Sequence, residues 1–232
     1  MFLFLKKVFQ NKNTYILLLL SFFSIALSIG RVMYTHTEFY LFLFWNLILA
    51  FIPWFVASII CLNDIRNKLS ILLLVIVWIL FFPNAPYILT DILHLGKGGL
   101  VPLWYDLILL LSYSFTGMLY GFISLYMIEE KLKSLMKWNI HAFVAVLLIY
   151  LSCFGIYLGR FLRWNSWDIF MNIPSLFSDV KQRLIYPLDY QATWGFTLLF
   201  GTLLNIMYFS YKVFDSDKGG KSRAAADKRK GS

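Results

Sequence analysis

The sequence predicts an all-α protein, a polytopic membrane bundle of about six transmembrane helices. Three observations point there. First, 60% of the residues are hydrophobic and 14% charged, with a mean hydropathy of +0.70, whereas a soluble domain is about half apolar and a quarter charged. Second, several runs hold about 18 or more nearly uncharged residues, enough to cross ~30 Å of hydrocarbon. Third, aromatic residues make up 19% of the chain, and many lie near the ends of those runs, as in interfacial belts.

The first span is expected near 14–33, preceded by Lys6, Lys7 and Lys12, and the second over 39–62. The loop "NDIRNK" separates it from an apolar run, 69–82, whose 14 residues extend only about 21 Å as a helix. Pro83 and Pro86 follow and interrupt backbone hydrogen bonding. The third span, 69–95, is therefore predicted to be kinked or broken at Pro83–Pro86, with Asn84 as N-cap of a short second helix and Gly96 as its terminator. The fourth span is placed at 103–128, where "EEKLKSLMK" ends the apolar run, the fifth at 138–158 and the sixth at 192–213. Residues 1–214 read as a single membrane domain, and the polar, Gly/Ser/Lys-rich segment 215–232 as a disordered cytoplasmic tail.

The formal net charge of +9 sits in short loops and this tail. That is the pattern of topology signals, and no nucleic-acid motif accompanies it. Fifteen of the 21 Lys and Arg residues fall on the side of the N-terminus and six on the other. The positive-inside rule then puts both termini in the cytoplasm. No cleavage pattern follows the first run, so a removed signal peptide is not expected. Cys61 and Cys153 lie in or at the end of apolar runs without metal-type spacing, and read as buried thiols.

This topology collects the unusual polar residues on the outer side. Arg31, His36 and Glu38 belong to the first outer loop, with Asn46 just inside the second span. In "NAPYILTDILHLG", Asn84, Tyr87, Asp91 and His94 recur at three, four and three. On an α-helix that spacing makes one polar stripe, either a solvated helix end or the wall of a site. Asp106 lies a few residues inside an apolar run, where an ionisable group is a functional candidate; a structural ion pair with Arg160 or Arg163 is the plain alternative. In "GRFLRWNSWD", Arg160 and Arg163 are a turn apart and suit phosphate or carboxylate, or snorkel to lipid headgroups. Asp168 steers an arginine or joins the site, and Asn165 caps or turns the chain. His36 and His141 are not expected to be ligands.

The blocks "FLFWNLILAFIPW", "NAPYILTDILHL", "WYDLILLLSYSFTG" and "GRFLRWNSWD" resemble the bacterial membrane proteins grouped as domain of unknown function 1361, over roughly 31–204. The resemblance implies a multi-pass membrane protein and assigns no catalytic residue.

Three functions stay open on the sequence. One is an intramembrane enzyme acting on a lipid or lipid-linked, phosphate-bearing substrate at the outer leaflet. There Arg160 and Arg163 would hold the phosphate, and Asp91, His94 and Asp106, supported by Asn84, Tyr87, Asn165 and Asp168, would supply acid/base chemistry or ligate a divalent metal. The second is a non-enzymatic membrane partner or assembly subunit, and the third a transporter or channel. No P-loop, dinucleotide fingerprint, GxSxG elbow or HExxH pair is present.

Overall fold

The structure, a computed structural model, describes residues 12–63, 65, 67–135, 140–164 and 171–230. Among the described residues, six helices are long and apolar enough to cross a membrane: Asn13–Thr35, Phe42–Leu62, Leu69–His94, Leu103–Lys133, His141–Phe161 and Gln191–Phe214. The chain divides into two compact units, Met1–Ala142 and Phe143–Ser232.

The first unit is built from α1 (Lys12–Thr35), α2 (Phe42–Leu62), α3 (Lys68–Phe81), α4 (Asn84–Tyr87), a 3₁₀ helix (Ile88–His94) and α5 (Leu103–Leu135). Helix α5 is central and packs against α1, α2, α4 and the 3₁₀ helix. It runs past the apolar stretch through Glu129, Glu130 and Lys133. Charge ends hydropathy but not helicity, because Glu, Lys and Leu are good helix formers, and Glu130 lies 3.6 Å from Lys133 at i,i+3.

The third span is bent, as the prolines predict, and its restart is tighter than an α-helix. Asn84 does not cap the new segment; its Nδ2 turns back and donates to the Phe81 carbonyl at 3.0 Å. From Ile88 the backbone is 3₁₀, with three residues per turn, so residues three apart eclipse. Asp91 and His94 therefore share a face with Ile88, and Tyr87 falls off it. Gly96 takes the left-handed turn, φ +82, that ends the segment.

Small residues on α5 let this broken segment dock. A Cβ on Gly117 would come within 2.8 Å of Ile88 Cδ1 and 3.0 Å of the Ala85 carbonyl, and one on Gly121 within 3.0 Å of Ala85 Cβ. Ser114 Oγ, one turn before Gly117, donates to the Ile88 carbonyl at 3.1 Å. A backbone break at membrane depth needs such replacement partners.

Helices α1 and α5 are joined by a ladder of side-chain hydrogen bonds. Ser21 Oγ is 3.0 Å from Tyr120 Oη, Ser24 Oγ 3.4 Å from Thr116 Oγ1, and Ser28 Oγ 2.8 Å from Tyr113 Oη. Tyr105 donates to the Leu27 carbonyl at 2.8 Å. The α1 positions step by three and four residues, so they line one stripe.

The second unit contains α6 (His141–Phe161, entering it from Phe143), α7 (Ile173–Ile185) and α8 (Gln191–Lys230). Here α6 and α8 approach closely: a Cβ on Gly201 would run into the Tyr150 ring, and Tyr150 Oη is 2.9 Å from Thr202 Oγ1. The α8 backbone is helical to Lys230, across a segment for which composition predicts no order.

Candidate functional site

The polar residues of the first unit gather where α1 ends, α2 begins, the 3₁₀ helix ends and α5 begins. Arg31 lies on the last turns of α1, on the same stripe as Ser24 and Ser28. Its Nε donates to Asp106 Oδ1 at 2.8 Å, and the two residues are each only 1% exposed. Its Nη1 donates to Thr37 Oγ1 at 3.3 Å, and its guanidinium sits 4.6 Å over the Tyr40 ring. Asp106 thus has an ion pair with Arg31, which the sequence reads as a charge of the first outer loop. Arg31 reaches Asp106 because α1 and α5 run antiparallel side by side, with the serine ladder setting their register.

Gly98 closes this pair. A Cβ there would overlap Arg31 Nη2 and lie 3.2 Å from both Asp106 Oδ2 and Tyr40 Cε2. Arg31 Nη2 is buried and has no hydrogen-bond partner among the described residues. Tyr40 ties the pair to the 3₁₀ helix: its hydroxyl donates to the His94 carbonyl at 2.8 Å. Burial and the nearby Asp106 charge push the Tyr40 pKa above the ordinary tyrosine value, and Arg31 opposes them.

Asp91 and His94 mark the other edge of the cluster. Asp91 is fully buried and accepts from Asn46 Nδ2 at 2.8 Å. Asn46 sits one turn into α2, so the polar spot in "FWNLIL" is the partner of the 3₁₀ helix. The His94 ring packs on Phe42, 5.2 Å between centroids. Tyr87 contributes its carbonyl, which accepts from Thr90 Oγ1 at 2.7 Å. The structure joins Asp106 to Arg31 and Tyr40, and Asp91 to Asn46, with Tyr40 and Phe42 bridging to His94. Among the described residues no group of three or more His, Cys, Asp or Glu is arranged to hold a metal ion.

The remaining candidates belong to the second unit. Arg160 is half-buried in the last turn of α6. Arg163 lies beyond the helix end, exposed and left-handed at φ +62, with the Trp164 N–H donating to the Leu158 carbonyl at 3.1 Å. The two arginines therefore do not share a helix face, because α6 stops at Phe161. Asn165 and Asp168 lie outside the described residues.

Two participants, Arg31 and Tyr40, do not stand out in the sequence, where Arg31 reads as a loop charge. The signal for Arg31 is its spacing: it continues the Ser21, Ser24, Ser28 series, so it falls on the face that α1 buries.

Residues 45–207 match the model of the family described as Protein of unknown function (DUF1361). The chain belongs to that family. Within the DUF1361 match lie Asn46, Asp91, His94, Asp106, Arg160 and Arg163, while Arg31 and Tyr40 precede it. No curated protein and no solved structure matches the chain.

Proposed function

We propose that this DUF1361 protein acts by contact and not by chemistry: a membrane-embedded partner or assembly subunit whose buried acids hold its helices in register. One observation carries the reading. Asp106 and Asp91 are both buried and committed, Asp106 to Arg31 beneath Gly98 and Asp91 to Asn46. A general acid or base has to reach a substrate proton within hydrogen-bond distance, and these carboxylates are spent on neighbouring helices. The positive-inside orientation puts this cluster toward the outer leaflet, with both termini cytoplasmic and membrane lipids around the apolar faces.

The second reading is an intramembrane enzyme on a phosphate-bearing lipid, and one observation favours it. Among the described residues Arg31 Nη2 has no hydrogen-bond partner, and it lies under a glycine-rich loop, "GKGG". Displacement of that loop would present a guanidinium N–H to phosphate beside Asp106.

A paired replacement separates the two. Exchanging a buried ion pair for apolar residues of similar volume is often tolerated, whereas removing one partner costs about 3–5 kcal/mol. In a strain lacking the gene, Arg31→Met/Asp106→Leu should restore function where Asp106→Ala alone does not accumulate. An accumulating double variant that fails to restore function, with the altered lipid profile of the deletion reproduced, would overturn the contact reading in favour of the enzyme.

A further inference from the structure

The connection between the last two spans contains α7, "IPSLFSDVKQRLI", whose apolar residues lie on one side. Ile173, Phe177, Val180 and Leu184 recur at intervals of four, three and four, and make one stripe. Three of them are open to the surroundings: Phe177 is 66% exposed, Ile173 59% and Leu184 56%. The exposed polar residues Ser175, Ser178 and Gln182 lie on another side.

The roll of this helix about its axis is fixed. Trp164 Nε1 donates to Asp179 Oδ2 at 2.9 Å, and Trp194 Nε1 donates to the Arg183 carbonyl at 2.9 Å. The buried Arg183 guanidinium lies 4.6 Å over the Tyr190 ring, and its Nη1 donates to the Asp179 carbonyl at 2.8 Å. These contacts all engage the Asp179–Arg183 side, so the apolar stripe is held away from the rest of the unit.

The position of α7 identifies what meets that stripe. Trp164 follows the end of one membrane-spanning helix by three residues, and Trp194 is in the first turn of the next. A helix hydrogen-bonded to both indoles lies at the level where the two spans leave the hydrocarbon. Its 13 residues extend about 20 Å, too short to cross ~30 Å of hydrocarbon. Asp179 is paired with Arg183, 3.5 Å away, and Lys181 is exposed beside the stripe, a charge that suits phosphate headgroups. We propose that α7 is an interfacial helix lying in the membrane plane, with Ile173, Phe177 and Leu184 seated at the headgroup–acyl boundary of the phospholipid bilayer. An amphipathic helix in that position buries its apolar side about 5–10 Å into the boundary. The proposal does not depend on the role assigned to Asp91 or Asp106.

The test places a nitroxide on Phe177→Cys, and separately on Ser178→Cys, in a Cys61→Ser/Cys153→Ser background of the full chain in phospholipid nanodiscs. Power saturation compares collisions with oxygen and with a water-soluble nickel chelate. The oxygen-to-nickel ratio should be several-fold higher at 177 than at 178. Equal ratios would put the stripe in water, and a label at 177 shielded from both reagents would put it under protein; either overturns the proposal. Because Cys153 is fully buried and its replacement can unsettle the fold, a second variant keeps both cysteines. Phe177→p-benzoylphenylalanine is irradiated in native membranes, where a lipid adduct is expected and an adduct to protein alone overturns the assignment.

Discussion

Replacing Gly98 by alanine adds one methyl group over the Arg31–Asp106 pair. The Gly98 backbone is outside the left-handed region, unlike Gly96 and Gly99, so an alanine there carries no conformational penalty in the folded state and its cost is steric. The new Cβ would overlap Arg31 Nη2 and press on Asp106 Oδ2 and Tyr40 Cε2, both at 3.2 Å. None of these can give way cheaply. Arg31 is held through Nε by Asp106 and through Nη1 by Thr37, and Tyr40 is held by the His94 carbonyl. Overpacking of this kind costs about 1–3 kcal/mol, and the stiffer unfolded chain returns about 0.4–1 kcal/mol. The expected net loss is about 1–2 kcal/mol. The control is Gly155→Ala in α6, where a Cβ meets nothing within 4 Å and alanine should gain about 0.5–1 kcal/mol in a helix. Reversible unfolding in mixed micelles measures both. If Gly98→Ala were neutral or stabilising like the control, the loop would not be seated on the ion pair, and the closed-site argument would fail.

Further expectations follow from the same geometry. Gly117→Ala should destabilise the first unit by about 1–3 kcal/mol, because Ile88 and the Ala85 carbonyl occupy the space; faster proteolysis near residue 90 would report the undocked segment. Ser28→Ala should cost about 1 kcal/mol, and Ser28→Ala/Tyr113→Phe less than the two single changes together, since the pair shares one bond. Tyr40 gives a pH signature. Its folded pKa lies above the ordinary value of 10.0, so the proton is held more tightly in the folded state. The stability this provides is fully present below pH 10.0 and falls as pH rises through the folded pKa. Unfolding free energies of wild type and Tyr40→Phe should converge across that window, and parallel curves would show that Tyr40 is not the titrating group.

Much of the fold can be read from the sequence because bilayer thickness sets a length that hydropathy measures directly. All six spans, and the bend at Pro83–Pro86, follow from run lengths and proline chemistry. The cluster was less legible, for identifiable reasons. The positive-inside expectation groups Asp106 with six cations and does not choose among them; the packing of α1 on α5 pairs it with Arg31. The stripe Tyr87–Asp91–His94 assumes 3.6 residues per turn, and the 3₁₀ backbone after the second proline removes Tyr87 from it. Run lengths do not reveal α7, because its charges lower the hydropathy of a segment whose apolar residues are well ordered in period. The serine ladder leaves little trace in the run lengths, because single hydroxyls hardly change the hydropathy of a run.

That ladder has a consequence for biogenesis. The partners of Ser21, Ser24, Ser28 and Arg31 lie 75 to 99 residues further along the chain. At about 5–20 residues synthesised per second, the first span waits at least roughly 4–15 s before Asp106 is made. During that interval the arginine lacks its carboxylate and the three serines lack their partners on α5. A polar helix edge of this kind slows release of the first span into lipid, and Arg31→Leu should shorten the time the nascent chain takes to leave the site of insertion.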